Sequence, residues 1–498
     1  MRVMFITPAA SKTNVRWMPL GVCSLAGALL AAGHEVLLFD RFRISFDHDQ
    51  DEIDRQLKAS ISAFRPDMIG FSTCSQLIHH SIHDVRVVRS VTDAFVVLGG
   101  HHATALPELT LQRIPEADAV IAGEGEESIC LLADKHCKND IPGLYWRERH
   151  EQDTIKKTDG IMSLDRPDLS SRIFKSPVSR KPVDLQKLPA PAYHLLDMAF
   201  YTKRNISTIR PFYLRVGTVI ATRGCTSHCS FCTESLTFTG GLRHHKVDDV
   251  IKTIRLLIET YHCDGITFLD NSFLADPDYA RTVLQSIISS GLNHKALFCI
   301  QSRVDQITED LARLLKQANF LKIEFGLESA DPDVLLKTRK NASIQQAEKA
   351  LQLCRRHGIS TQANLIMGFE GDTIDKLDKT LSWIKRLPID NVSWGQLFLS
   401  PGSLLYRQKA QAYLEKNDWS KTNIEYFFSR DHLSDFLPDE LKSWRALKLN
   451  RYLKALHRRS VLRRNPLPRA MHYFWTRLLL KGKNRWQNMQ NAKHLRRS

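Results

Sequence analysis

Three cysteines lie in the stretch Arg223-Gly224-Cys225-Thr226-Ser227-His228-Cys229-Ser230-Phe231-Cys232, spaced Cys-x-x-x-Cys-x-Phe-Cys. A structural zinc site is four-coordinate and recruits a second Cys or His pair at a short, regular distance. Only His228 lies near, and it sits inside the ligand loop. An iron–sulfur cube takes one thiolate per iron, so three cysteines leave one iron open to a small molecule. The spacing therefore points to a catalytic 4Fe-4S cluster. The competing reading is three unrelated core thiols, since free Cys is often a small buried hydrophobe.

Such a loop needs a scaffold. From residue 215 to about 401 a strand–helix unit recurs at roughly thirty-residue intervals, the mark of a β/α barrel. Strands are predicted at 217–222, 265–269, 296–300, 321–326, 361–367 and 391–399. Six units make a partial barrel. Catalytic groups on barrels gather at the carboxyl ends of strands. Those ends carry Cys225, then Asp270 and Asn271, Gln301 and Arg303, Glu328 and Ser329, and the loop 368–372.

Ahead of the barrel, residues 1 to about 134 alternate short β-rich runs with helical stretches, as in a doubly wound parallel sheet. Strands are expected at 2–7, 35–39, 68–72, 95–98 and 119–122, with a helix at 20–32. Ligands on such sheets bind beyond the carboxyl ends of the strands. There the chain places Ser72 and Thr73, then Gly99, Gly100, His101 and His102, then Gly123, Glu124, Gly125 and Glu126. No Gly-x-Gly-x-x-Gly follows the first strand, which argues against a dinucleotide. Paired glycines after Leu98 would let a bulky ligand approach the backbone. His79 and His80 read as an exposed helical pair.

The cysteine spacing, with an aromatic before the last cysteine, resembles the signature of the radical S-adenosylmethionine (SAM) superfamily. That resemblance implies that the open iron chelates the amine and carboxylate of SAM and that an electron from the cluster cleaves it. Gly326-Leu327-Glu328-Ser329 and Met367-Gly368-Phe369-Glu370-Gly371-Asp372-Thr373 resemble later motifs of the family, with Glu370 where proline is usual. In such a site Phe231 would lie against the adenine. Arg303 would pair with the carboxylate, and Glu328 would accept from the amine or a ribose hydroxyl. Asp270, Asn271, Gln301 and Ser329 would complete the SAM pocket. Pro19-Leu20-Gly21 and the glycine loops resemble the cobalamin-binding domain that precedes the barrel in one large subgroup. They imply cobalamin contacts at Pro19, Leu20, Gly21, Ser72, Thr73, Gly99, Gly100, His102, Gly123, Glu124, Gly125 and Glu126. The Asp-x-His-x-x-Gly motif that supplies a histidine to cobalt is absent, which argues against a protein-derived lower ligand. Adjacent histidines cannot readily share one ion, and His102 is expected against the corrin or its tail.

Composition sets the outer bounds. At 498 residues, 43% hydrophobic and 25% charged, the chain is globular and holds about three domains at roughly 150 residues each. We expect a Rossmann-like cobalamin-binding domain at 1–138, a connecting arm at 139–214, a radical SAM partial barrel at 215–410 and a helical, basic region at 411–498. No signal peptide is read at the N-terminus, and the longest apolar runs are too short to span a bilayer. Ten cysteines without framework spacing suit a reducing cytosol. The net charge of +16 is concentrated in residues 441–498, which hold 17 Lys plus Arg and no Asp or Glu. Tyr473-Phe474-Trp475 sits there among Arg469, Arg477, Lys481 and Lys483. Aromatics among basic residues suit an interfacial membrane helix or single-strand stacking. Membrane contact is preferred over nucleic acid because no RNA-binding module is recognisable. The chain is expected in the cytoplasm, peripheral to the inner membrane.

The function expected is a cobalamin-dependent radical SAM enzyme that methylates an unreactive carbon of a secondary-metabolite or lipid-like substrate. Its reductant would be flavodoxin or ferredoxin. An oxidative cyclase of the anaerobic magnesium-protoporphyrin ester type stays open as an alternative. Outside enzymology, a cobalamin and iron–sulfur carrier or sensor stays open too. Methylthiolation of tRNA is disfavoured, since Cys23, Cys74, Cys130 and Cys137 lack the arrangement of a second cluster.

Overall fold

The computed structural model describes residues 1–8, 16–148, 173–210 and 212–409, with 448–449, 451–453 and 455–456. The expected helix start near 438–441 and the aromatic cluster at 473–475 lie outside the described residues.

Apolar runs of five residues or fewer build the first parallel sheet: β1 (Arg2–Ile6), β2 (Glu35–Phe39), β3 (Met68–Ser72), β4 (Phe95–Gly99) and β5 (Ala119–Ile121), ordered β2-β1-β3-β4-β5. Alternate side chains take opposite faces. Val3, Phe5, Met68, Val97 and Ile121 join the core shared with helix Leu20–Ala31. Met4, Ile6, Ile69, Val96 and Leu98 pack under helices Gln50–Phe64 and Ile78–Arg89. With both faces covered, only the carboxyl edge is left for a ligand. The region expected to be a connecting arm extends this sheet with antiparallel β6 (Leu144–Arg147) and β7 (Ile173–Lys175). Strands of four and three residues leave too short a pattern to read in a segment rich in Pro and Ser.

After β8 (Val216–Val219), the short antiparallel pair β9 (Thr222–Arg223) and β10 (Arg243–His244) brackets the cysteine loop. Then β11 (Gly265–Phe268), β12 (Leu297–Ser302), β13 (Phe320–Glu328), β14 (Ser360–Met367) and β15 (Asn391–Gln396) join β8 in an all-parallel sheet ordered β8-β11-β12-β13-β14-β15. β8 and β15 are not paired, so the barrel stays open, as six units predict. Helices pack outside it. In Val247–Glu259 the buried Val250, Ile254, Leu257 and Ile258 recur at helical spacing, and Asp248 and Asp249 sit favourably in the first turn. Burying each such side chain stabilises by about 1.5–3 kcal/mol. Ser343 and Gln346 form a reciprocal capping box on helix Ile344–Arg356. Among the described residues no helix is long and apolar enough to cross a membrane.

Candidate functional site

Gly224 leads into the cysteine loop with φ +89°, and a Cβ there would fall 2.1 Å from the Gly241 carbonyl oxygen. Glycine alone lets the two backbones cross this closely. Beyond it Cys225, Cys229 and Cys232 are free, partly buried thiols. Cys225 and Cys229 both act on the charge of Cys232. The loop is fixed at its middle, where the Ser230 N–H donates to the Thr338 carbonyl (2.9 Å) and the Leu405 N–H donates to the Ser230 carbonyl (2.8 Å). Three thiols with no fourth ligand beside them among the described residues do not close a zinc shell and fit one thiolate on each of three irons of a cube. Burial pushes the Cys232 thiol up to about 11. Burial also raises Cys229, against the pull of Lys340 and Arg303. Those two cations face the loop and suit an anionic cluster.

The residues expected around SAM divide. Arg303 donates through Nε and Nη2 to the two oxygens of Asp305, each at 3.0 Å, and through Nη2 to the Lys340 carbonyl at 2.8 Å. The fork expected for the SAM carboxylate is thus occupied within the chain. Its Nη1 is buried without a partner and remains available to an anion. Glu328 has φ +61°, a left-handed conformation that costs a non-glycine residue about 1–3 kcal/mol and tends to mark functional sites. Its carboxylate accepts from Lys340 Nζ at 2.8 Å. Gly326 makes room for both, since a Cβ would meet Glu328 Oε1 at 2.5 Å and Lys340 Nζ at 2.7 Å. Phe231 packs on Phe369 with ring centroids 5.5 Å apart, giving an aromatic wall beside the cysteines. Asp372 accepts from the Gly368 and Phe369 N–H groups at 2.8 and 3.0 Å, so this loop turns without the usual proline. The orphaned Arg303 donor, the strained Glu328 and the aromatic wall fit a zwitterionic nucleoside such as SAM.

Three expected SAM residues do other work. Asp270 is fully buried and accepts from the Ala221 N–H (3.2 Å), Thr222 N–H (2.6 Å) and Thr222 Oγ1 (2.7 Å). It pins the strand that enters the cysteine loop and has no free face for a ligand. Asn271 donates to Glu234 at 2.8 Å and lines a cavity shared with the N-terminal domain. Ser329 Oγ accepts from the Asp331 N–H at 3.1 Å, a local turn. Gln301 faces the barrel interior, level with Glu324.

That shared cavity, about 380 Å³, lies where the carboxyl edges of the two sheets meet. Leu20, Gly21, Ser72, Gly99, Gly100, Gly123, Glu124, Gly125 and Glu126 line it from the N-terminal domain. Ile220, Thr222, Arg223, Thr237, Phe238 and Leu269 close it from the barrel side. Its glycine-rich, largely apolar wall fits a large flat ligand held through backbone and shape. Gly100 has φ +91°, and a Cβ would sit 2.7 Å from the Thr73 carbonyl oxygen. Pro19, Thr73 and His102 are not on the wall. Thr73 instead donates through Oγ1 to the Gly99 carbonyl at 2.6 Å and accepts from the Ala103 N–H, shaping the loop from below. His102 is buried with Nδ1 3.0 Å from Ser75 Oγ, and its neighbour His101 reaches the cavity. The sequence offered two adjacent histidines, and only the helix that starts after Gly100 decides which one faces the ligand. His79 and His80 are half-buried rather than exposed, and His80 lies 3.3 Å from the Arg41 guanidinium.

One network was not anticipated. Arg223 donates to Glu124 at 3.0 Å, to Glu126 at 2.6 Å and to Ser24 Oγ at 3.1 Å. Arg243 donates to the other oxygen of Glu124 at 2.7 Å. Burial works to lower the Arg223 pKa, but Glu126 and Glu124 hold it above its ordinary value. Burial likewise works to raise Glu126, and Arg223 holds it below the usual carboxylate range. The acid pair expected to touch cobalamin is therefore committed to the base of the cysteine loop. The available signal was the position of Arg223, two residues before Cys225. For Lys340 there was none.

Comparison with known proteins accords with this two-part geometry. Residues 6–133 match the B12 binding domain and residues 219–384 match the radical SAM superfamily. The chain is 26% identical over 442 residues to an uncharacterised methyltransferase of Pyrococcus horikoshii, covering 87% of this chain and 89% of that protein. It is 25% identical to the anaerobic magnesium-protoporphyrin IX monomethyl ester cyclase of Rubrivivax gelatinosus, covering 85% and 72%. The radical S-adenosylmethionine methyltransferase TsrM from Kitasatospora setae shares the fold, with a TM-score of 0.66 at 17% identity over 82% of this chain and 76% of that one. The two domains imply a 4Fe-4S cluster, SAM and cobalamin as cofactors. The protein belongs to the radical SAM superfamily, as one of the members that carry a B12 binding domain ahead of the radical SAM domain.

Proposed function

We propose that the chain transfers a methyl group to an unreactive carbon of a small-molecule substrate. The observation that carries this reading is the seam at Arg223, which ties the base of the loop meant for the cluster to the loops meant for cobalamin, at the wall of one cavity. When bound, the cluster and cobalamin would supply reductive cleavage of SAM and a carrier for the methyl group. Cys225, Cys229 and Cys232 would hold the cluster. Arg303 Nη1 would meet the SAM carboxylate, the Glu328–Lys340 pair would bound the polar end, and Phe231 with Phe369 would shield the flat base. The half-buried loop and apolar cavity keep water from the reacting atoms. A flavodoxin or ferredoxin would deliver the electron.

The test is anaerobic incubation of the reconstituted enzyme with cobalamin, a strong reductant and SAM, read by mass spectrometry. Both 5′-deoxyadenosine and S-adenosylhomocysteine are expected. Similarity to the ester cyclase favours a second reading, radical oxidation without methyl transfer. It would give 5′-deoxyadenosine alone and a product lacking an added methylene. Neither product from a fully loaded enzyme would leave the carrier or sensor. We place the reaction in the cytoplasm. The basic tail's membrane contact is a separate part of this reading, tested by co-sedimentation with anionic vesicles.

A further inference from the structure

We propose that the part of the substrate seated in the barrel is neutral, polar and hydrogen-bonding, and is read by the amides of Gln301 and Asn364. This rests on the radical SAM reading above and names its substrate class. On the outer face of the barrel sheet, Phe298, Ile300, Ile323, Phe325, Ala363 and Leu365 all pack into the helix-covered core. Strand alternation turns their neighbours inward. There β12 presents Gln301, β13 Lys322 and Glu324, and β14 Gln362 and Asn364. Register aligns Gln301 with Glu324, Glu324 with Gln362, and Gly326 with Asn364.

A barrel packed for stability fills its interior with Val, Ile and Leu. Here Val216, Leu297 and Cys299 form a small apolar cluster at the base, and above it the sheet buries a lysine. Lys322 is 0% exposed, donating to Glu324 at 2.6 Å and to Gln362 Oε1 at 3.1 Å. Gln362 Nε2 donates onward to Glu324 Oε2 at 3.2 Å and to Asn364 Oδ1 at 3.0 Å. The cation and carboxylate neutralise each other, so the network offers a ligand no net charge. At its upper end two groups are left over. Residues Gln301 and Asn364 are partly exposed, and the Gln301 side-chain amide and the Asn364 Nδ2 make no hydrogen bond to another described residue. Arg303 lies two residues beyond Gln301, just past the end of β12 and about 7 Å toward the mouth. Gln301 is thereby moved from the SAM pocket to the substrate.

An amide both donates and accepts, so its complement is a group that does likewise: an amide, a diol or a base edge. A lipid skeleton would cover Gln301 and Asn364 without replacing their bonds to water. The lipid-like half of the expected substrate is thus disfavoured, and the inner face of β12–β14 becomes the recognition surface.

The test uses the anaerobically loaded enzyme, SAM carrying a trideuterated methyl group, and the water-soluble and chloroform-soluble fractions of a lysate from the encoding organism. Stimulation of 5′-deoxyadenosine formation reports the substrate, and trideuteromethyl label separately reports methyl transfer. The water-soluble fraction is expected to stimulate. Asn364→Leu should lower that stimulation about tenfold, and Asn364→Ser, which keeps a donor and an acceptor, should recover part of it. The cluster spectrum of each variant checks that it is folded and loaded. Stimulation by the chloroform fraction alone, by neither fraction, or equally in Asn364→Leu overturns the proposal. Stimulation without label upholds the polar substrate and rejects methylation.

Discussion

The parallel part of the first sheet, β1 to β5, and the all-parallel barrel sheet offer a ligand opposite things. In the first, both faces are apolar and helix-covered, and the loops beyond β3, β4 and β5 meet the cavity largely through glycine backbone. In the barrel sheet only the outer face is covered, and the inner one carries Gln301, Lys322, Glu324, Gln362 and Asn364. One domain therefore recognises by shape at an edge, and the other by hydrogen bonds inside. A large cofactor common to many enzymes suits the first. A substrate particular to one enzyme suits the second.

Substitutions can break this contrast in a graded way. Cys229→Ala should abolish cluster assembly and SAM cleavage outright while leaving the edge cavity able to take cobalamin; iron and sulfide analysis beside a cobalamin titration checks both. Arg223→Ala strands the buried Glu126, leaves Glu124 with Arg243 alone and should destabilise the chain by about 3–5 kcal/mol, seen as a lower unfolding midpoint. Replacing Arg223 and Glu126 together by apolar residues of similar size, with the Arg243–Glu124 pair kept, should recover much of that loss. Gly100→Ala forces a side chain onto φ +91° and against the Thr73 carbonyl, costing about 1–3 kcal/mol. It should weaken cobalamin binding while the cluster spectrum stays as in the parent, and equal damage to both would erase the division between the domains.

The smallest effect concerns acid. Burial pushes His102 of the first domain down to about 3, and pushes Asp270 of the barrel up to about 6. His102 contributes stability that is full above its unfolded value of 6.5 and is lost as pH falls toward 3. Asp270 contributes stability that is full below 3.8 and is lost as pH rises through 6. Between pH 4 and 6 the two slopes oppose, each about 1.4 kcal/mol per pH unit. Asp270→Asn should therefore make stability rise more steeply with pH over that window, measured by denaturant midpoints. An unchanged slope would show that Asp270 is ionised throughout.

What could be read from the chain followed the range of the interaction. The cysteine loop and the glycine turns are local, and their residues stand within ten positions of one another. Every barrel strand could be placed because each outward residue repeats with period two or is followed by an amphipathic helix. Glu124 and Glu126 were noticed, but their partner Arg223 is about one hundred residues away, and nothing local ties them. Asp270 looked like a ligand because it follows a strand, and only tertiary structure shows the backbone of 221–222 folded onto it. In Lys322-Ile323-Glu324-Phe325 the alternation was present, yet period two says which residues share a face, not that the polar face is the inside.

The seam at Arg223 also bears on ancestry. Glu124 and Glu126 are synthesised long before Arg223 and Arg243, so a ribosome-bound or excised N-terminal domain holds two acidic groups that lack their counter-charges. A recombination event joining this domain to a foreign barrel would inherit the same deficit unless the new partner brought arginines at matching places. The two domains are separable in name, but their border is heritable only as a set.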